Sequence, residues 1–124
     1  MIVAAVPFDE PGNNFCWAFH VINDGDAPID SVVVERAHYT WGDNGNSEAV
    51  GTRCGPIAPG ASLEVYREID TEMRTGLSLV VTIAGETHSI YAEVGRLYRP
   101  PRQQLEPIPI LGRDGLLAEI GSWQ

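Results

Sequence analysis

Three histidines and two cysteines are the side chains of this sequence with the strongest potential for metal binding or nucleophilic chemistry. His20, His38 and His88 all fall in segments that the pattern described below predicts to be strands. Cys16 and His20 share a face of one such segment, but four extended residues separate them by roughly 13 Å, too far for one metal ion. No Cys-x-x-Cys or His-x-His pair supplies a local half-site, so we expect strand histidines that face solvent or form hydrogen bonds, and no cofactor.

Two loops rich in Asp and Asn offer the oxygen ligands that calcium prefers. Asp24 and Asp26 belong to the first loop and Asp43 to the second. Neither loop has the spacing of an EF-hand, and Asp and Asn favour turns because their side chains hydrogen-bond their own backbone. We therefore expect two turns, and the three aspartates remain calcium candidates.

Cys54 is a candidate nucleophile because the neighbouring cation of Arg53 could lower the pKa of its thiol. No histidine or acid has a sequence relation to Cys54 that would activate it, and the chain contains no Gly-x-Ser-x-Gly motif for a serine triad. Two cysteines make at most one bridge, so a disulfide framework is excluded, and we expect buried or half-buried thiols. The sequence thus predicts no catalytic residue.

The basic stretch Arg96, Arg99 and Arg102 lies before and within a run of prolines. These side chains could bind an anion or a partner, since guanidinium groups suit carboxylates and phosphates. Alternatively, they pair with acidic residues of the preceding sequence and guide the C-terminal segment onto it.

The composition narrows the class of partner. The chain has 124 residues, 44% of them hydrophobic and 20% charged, and a net charge of −9. Because nucleic acids and anionic membranes attract basic surfaces, we expect neither as a partner. The apolar run at the N-terminus ends at Pro7, too short for a signal peptide, which favours a cytoplasmic protein unless the sequence is a fragment of a longer secreted chain.

Alternating apolar and polar residues, punctuated by Gly, Pro, Asn and Asp, predict short strands. In residues 14–23, Phe15, Trp17, Phe19 and Val21 share one face, which must be the core face. Turn signals occur at residues 23–26, 43–46, 59–60 and 85, and the predicted strands cover residues 2–6, 14–23, 31–41, 50–54, 63–69, 77–83 and 88–94. We therefore predict an all-β fold, an immunoglobulin-like antiparallel β-sandwich of about seven strands, over residues 1–99.

Residues 100–124 differ from this pattern. Four prolines favour an extended strap up to Pro109. Asp114 then suits the start of a short amphipathic helix that ends before Gly121. The apolar side chains expected to dock this tail are Leu116, Leu117, Ile120 and Trp123.

The second face of residues 14–23 is the predicted docking surface for the tail. Cys16, Ala18 and Ile22 make that face too apolar to be left in water. We expect the tail to cover the same face of its own sandwich or of a neighbouring subunit.

The run from Asn23 to Val34, followed by Ile57 to Val65, resembles bacterial immunoglobulin-like modules, including the adhesion-associated CARDB type. Residues 23–28, 44–46 and 59–60 are also similar in order to the fibronectin-III-like ApaG family. The glycine-rich stretch of that family corresponds to residues 51–56, which lack its full glycine pattern, so no phosphate site is carried over. Both resemblances imply a sandwich, and neither implies a reaction.

These observations favour a non-catalytic binding or assembly module that interacts with a protein partner or with itself. Arg96, Arg99, Arg102 and the apolar tail residues are the expected contact residues. The alternative function is that of a small enzyme or metal-dependent sensor that uses the Asx-rich loops or Cys54.

Overall fold

A computed structural model describes residues 1–9, 15–69, 73–96 and 104–122. Their secondary structure is all β, and no helix occurs in these ranges. The strands are β1 (Ile2–Asp9), β2 (Phe15–Ile22), β3 (Ile29–Trp41), β4 (Asn44–Cys54), β5 (Ser62–Ile69), β6 (Arg74–Ile83), β7 (Glu86–Arg96), β8 (Glu106–Pro107), β9 (Asp114–Leu117) and β10 (Glu119–Ser122).

Two antiparallel sheets of five strands form the sandwich. The first sheet has the order β5-β2-β1-β9-β8, and the second has the order β10-β7-β6-β3-β4. Hairpins join β1 to β2, β3 to β4 and β6 to β7, whereas β5 returns to pair with β2 and β6 returns to pair with β3. The chain thus crosses repeatedly between the layers, an arrangement consistent with the predicted immunoglobulin-like sandwich.

The core lies between the two sheets. Trp17, Phe19 and Val21 of β2 are at most 1% exposed and pack into it, as the alternation predicts. The side chain of Phe15, predicted on the same face, lies outside the described residues. Facing β2 are the inward side chains of the second sheet, which include Val32, Val34, Leu77, Leu79 and Val81.

The β3–β4 hairpin was predicted with its turn at residues 43–46 and a second strand over residues 50–54. In the structure, Trp41 pairs with Asn44, so Gly42 and Asp43 form a two-residue turn and β4 is longer than predicted. Gly42 has a φ of 56° at the first central position, where glycine favours the turn types that join antiparallel strands. The prediction of a hairpin is confirmed, and the predicted position of its turn was wrong.

The predicted C-terminal helix is absent. Residues 114–117 form β9, which pairs with β1, and residues 119–122 form β10, which pairs with β7. Between them, the Ala118 amide donates to the Val3 carbonyl at 2.9 Å. The edges of both sheets have unpaired backbone groups, and the backbone of this segment forms hydrogen bonds with them. An isolated helix of seven residues would be only marginally stable.

The outer face of the first sheet is covered in part by the segment between β8 and β9. Ile108 is 3% exposed and packs with Ala4 and Ile22, and Leu111 joins the same cluster. Cys16 and Ala18 on this face are also buried. Each face of the central strand β2 is therefore a packing surface.

Asn23 joins the loop after β2 to the loop before β5. Its Oδ1 accepts a hydrogen bond from the Gly25 amide at 3.1 Å, and its Nδ2 donates to the Ala27 carbonyl at 2.9 Å and the Ile57 carbonyl at 3.0 Å. The side chain is buried, so water cannot replace these partners. The turn predicted at residues 23–26 is thereby held against the sandwich.

We expect Asn23→Asp to lower the free energy of unfolding by about 2 kcal/mol or more, because the carboxylate keeps the acceptor but loses both donated hydrogen bonds and places a charge at a buried position. The matched control is Asp26→Ala, an exposed position of the same turn, which should change stability by less than about 0.5 kcal/mol. Urea unfolding of the three proteins measures both effects. Equal stability of Asn23→Asp and wild type would contradict the role assigned to the amide.

Candidate functional site

A shallow groove of about 390 Å³ opens on the second sheet beside the β3–β4 hairpin. Strands β3, β4 and β7 supply its walls. The lining residues are His38, Tyr39, Thr40, Gly45, Asn46, Ser47 and Tyr91. This volume lies within the range of roughly 300–1,000 Å³ that is typical of small-ligand sites.

Tyr91 forms one side of the groove, and its position depends on Gly76. In the register of the second sheet, Tyr91 pairs with Ser78, yet its ring extends over Gly76 on β6. A Cβ at Gly76 would collide with the Tyr91 hydroxyl and with two ring carbons. Glycine at this position therefore allows the tyrosine ring to lie close against the strand.

His38 lies between Tyr91 and the β4 edge. Its Nε2 forms a 2.7 Å hydrogen bond with Ser78 Oγ, and its ring meets Tyr91 in an edge-on contact with centroids 5.5 Å apart. Burial lowers the pKa of His38 below its ordinary value, and the nearby Arg36 lowers it further. The imidazole is thus kept neutral near pH 7, in agreement with the hydrogen-bonded strand histidine that the sequence predicts.

A polar cluster ties the two sheets together behind the groove. The Tyr39 and Tyr66 hydroxyls contact each other, and Tyr39 donates to Glu48 Oε1 at 3.0 Å. Burial raises the pKa of both tyrosines, and the surrounding hydroxyl and carboxylate groups raise that of Tyr39 further. Both phenols are protonated at neutral pH, so this cluster serves as a hydrogen-bonded link rather than as a base.

His20 lies on the outer face of the first sheet, between Ala4 of β1 and Glu64 of β5. Both ring nitrogens are buried and have no hydrogen-bond partner among the residues that the structure describes. Burial lowers the pKa of His20; the Glu64 carboxylate opposes this shift, whereas Arg113 and Arg67 add to it. The imidazole is a neutral packing residue, and it belongs to no group of three or more metal-ligating side chains in the described part of the chain.

The three calcium candidates do not converge. Asp24 and Asp26 precede β3 and Asp43 follows it, so the length of that strand, roughly 40 Å, separates the two loops. The Asp24 carboxylate already contacts the Met1 ammonium group at 2.6 Å, and this contact lowers its pKa. Among the described residues, no three His, Cys, Asp or Glu side chains are grouped as metal ligands would be.

Cys54 does not have the environment of an activated thiol. It packs against the core from the end of β4, and burial raises its pKa, contrary to the lowering that Arg53 suggested. The Arg53 side chain is exposed on the other side of the strand. Cys16 and Cys54 are both free, the former buried and the latter half-buried, as predicted.

The apolar tail residues are divided between two sheets. Leu116 packs against the core, whereas Leu117 and Ile120 are each 42% exposed. They do not share the face that a helix would have given them. Arg99, Arg102, Trp123 and the side chain of Arg96 lie outside the described residues.

Sequence reasoning missed the groove. Its residues come from three strands that are distant in the sequence, and only the register brings His38 beside Ser47 on one side and Gly76 on the other. The available signal was Gly76 itself, because a glycine inside a strand pattern often marks a close approach of another group.

Comparison with known proteins gives no relative for this chain: no family model, curated protein or solved structure matches it. The described ranges also hold no apolar helix of membrane-spanning length.

We expect stability to fall as the pH is lowered from 7.5 to 5.5. His20 of the unfolded chain binds a proton near pH 6.5, whereas His20 of the folded chain binds it only at lower pH. The unfolded state is therefore stabilised by protonation first, and the stability that His20 contributes above pH 6.5 is lost as the pH falls through the folded pKa. His38 contributes in the same direction. Urea unfolding at both pH values should show a smaller loss for His20→Gln than for wild type.

The control for this measurement is Ser89→Ala, which changes an exposed residue of β7 that does not titrate. It should retain the full pH dependence of the wild type. An unchanged pH dependence in His20→Gln would contradict the assignment to His20.

Cys54 should react with iodoacetamide at pH 8 several-fold more slowly in the folded protein than in urea, because burial protects the thiol and raises its pKa. Arg53→Ala should leave the folded-state rate unchanged. Mass spectrometry of the modified peptide measures both rates, and a slower reaction in Arg53→Ala would show that the cation does activate Cys54.

Proposed function

We propose that this chain is a non-catalytic assembly module that pairs with a second copy of itself through strand β4. We also propose that the sandwich is immunoglobulin-like or fibronectin-III-like, as in CARDB-type or ApaG-type modules. This part of the proposal is based only on the residue patterns of the sequence. The observation that carries the proposal is the exposed edge of the second sheet.

Strand β4 is the last strand of that sheet and is 11 residues long. All of its residues are exposed except Val50 and Cys54, which are half-buried. An edge strand has alternate N–H and C=O groups that no neighbouring strand pairs, and these are a template for a further strand. A long edge of this kind supports pairing with another chain by strand addition.

The sequence of β4 has few of the features that usually block edge pairing. It contains neither proline nor lysine, and its charged residues are Glu48 and Arg53. Glu48 is exposed, and its carboxylate accepts hydrogen bonds from Tyr39 and Tyr66. The register shift in β3 between Val34 and Arg36 interrupts the ladder, so the regular part of the edge runs from Asn44 to Ala49.

A two-fold arrangement suits this segment. Two copies of β4 running antiparallel would form one continuous sheet, and each hydrogen bond would occur twice. A register centred on Ser47 sets Glu48 of each copy opposite Asn46 of the other, so no pair of like charges meets at the centre. The remaining central residues, Gly45 and Ala49, are small and neutral.

Charge sets the conditions for this association. Each copy carries a net charge of −9, so two copies repel each other at low ionic strength. Salt screens that repulsion over a Debye length of about 10 Å at 0.1 M, whereas backbone hydrogen bonds between strands are affected little. Association through β4 should therefore strengthen as salt is added.

Sedimentation equilibrium at about 10–100 µM protein should show more dimer in 0.5 M than in 0.05 M sodium chloride. Alternate residues of an edge strand direct their N–H groups to solvent, so one of Asn46→Pro and Ser47→Pro leaves the β3–β4 ladder intact. The more stable of the two variants should be monomeric at both salt concentrations.

The matched control is Ile120→Lys on β10, the opposite edge of the same sheet, which should leave the dimer unchanged. A wild-type protein that stays monomeric in 0.5 M salt would refute the proposal. Dissociation caused by Ile120→Lys, with β4 variants still dimeric, would move the interface to the tail strands.

A further inference from the structure

We propose that the groove beside the β3–β4 hairpin is a carbohydrate-binding site in which the Tyr91 ring stacks against a neutral sugar ring. This property does not depend on self-association. Tyr91 supplies the stacking surface, and the hydroxyls of Thr40 and Ser47, which project from the same face of the sheet, supply hydrogen-bonding groups.

The first argument is the position of the aromatic ring. Tyr91 lies over Gly76, packed against β6, and remains half-buried on a sheet face that is otherwise polar nearby. The contact with His38, whose ring centroid lies 5.5 Å from that of Tyr91, gives the tyrosine ring a second packing partner. A ring held in this way offers apolar area without the entropic cost of ordering a mobile side chain.

The second argument is the chemistry of the neighbouring side chains. Thr40 and Ser47 are exposed, short and neutral, and each hydroxyl can both donate and accept hydrogen bonds. Arg36 donates to Ser47 Oγ at 3.1 Å and orients that hydroxyl. Among the described residues, the groove lining has no carboxylate, ammonium or guanidinium group.

These features select the ligand class. A ligand that suits the groove is uncharged, carries several groups that donate and accept hydrogen bonds, and has an apolar face that can pack on an aromatic ring. A hexose ring has this combination, because its C–H groups form a flat face and its hydroxyls surround the rim. Phosphorylated sugars and nucleotides are disfavoured by the net charge of −9.

The site differs from the β4 edge used for self-association. The groove is formed by side chains that project from the sheet, whereas strand addition uses backbone groups in the plane of the sheet. Binding of a sugar and pairing of β4 can therefore be measured separately. A negative result for sugar binding would not contradict self-association, and a negative result for self-association would not contradict sugar binding.

The test is a titration of ¹⁵N-labelled protein with maltohexaose and with cellohexaose, oligomers of α-linked and β-linked glucose, followed by NMR. At least one oligomer should shift the amide resonances of Asn46, Ser47 and Tyr91 with a dissociation constant of about 1 mM. Tyr91→Ala should weaken binding at least about tenfold, the loss of about 1.4 kcal/mol. Tyr91→Phe should bind nearly as well as the wild type, because it keeps the ring.

Two further variants separate binding from folding. Trp41→Ala removes another exposed aromatic ring that does not line the groove, and it should bind like the wild type. Ser47→Ala removes a groove hydroxyl at an exposed position of β4 and should weaken binding without loss of stability.

Three results would overturn the proposal. The first is the absence of shifts in the groove with both oligomers at about 20 mM, well above the expected dissociation constant. The second is undiminished binding by Tyr91→Ala. The third is a response of the groove to a hexaproline peptide in place of the sugars, which would make it a peptide site.

Discussion

Burial of both faces of strand β2 is the constraint on which the rest of the molecule depends. Trp17 and Phe19 enter the core between the sheets, while Ala18 and Ile22 are buried on the opposite face. Each large apolar side chain that is fully buried stabilises the fold by roughly 1.5–3 kcal/mol. The apolar outer face of β2 must be shielded from water, and Ile108 from the C-terminal segment packs over part of it.

The C-terminal segment therefore completes the sandwich instead of merely lying on it. Strand β9 extends the first sheet beside β1, and β10 extends the second sheet beside β7. Gly115 makes the close approach possible, because a Cβ there would meet the Ala5 carbonyl oxygen at 2.5 Å. The same segment thus covers an apolar face and closes two sheet edges, which leaves β4 and β5 as the long edge strands on the other side.

Hydrogen-bonded polar groups hold the two ends of the sandwich. At one end, Asn23 joins two loops through its amide group. At the other end, Tyr39 and Tyr66 connect the sheets, and the buried Glu68 carboxylate accepts a 2.7 Å hydrogen bond from Thr75 Oγ1. Such groups fix the relative position of layers that hydrophobic contact alone would leave free to slide.

The sequence by itself determined the strands whose pattern is strong and local. Alternation in residues 14–23 identified the core face of β2, and Ala84 and Gly85 form the tight turn expected between β6 and β7. Residues 114–120 were predicted to form a helix, and pairing with the free edges of β1 and β7 makes them strands instead. The position of Cys54 against the core also depended on packing, so its raised pKa could not be read from the neighbouring Arg53.

Tertiary structure alone decided the groove and the exposed edge. Tyr91, His38 and Ser47 meet because the register of four strands aligns them, and register is a property of pairing between distant segments. Likewise, β4 is an edge strand only because no other segment pairs beside it in the second sheet as described. Periodicity along one strand shows which of its faces is apolar, but it carries no information about which strand lies beside it. The fold class could therefore be predicted from the sequence, whereas the groove and the exposed edge could not.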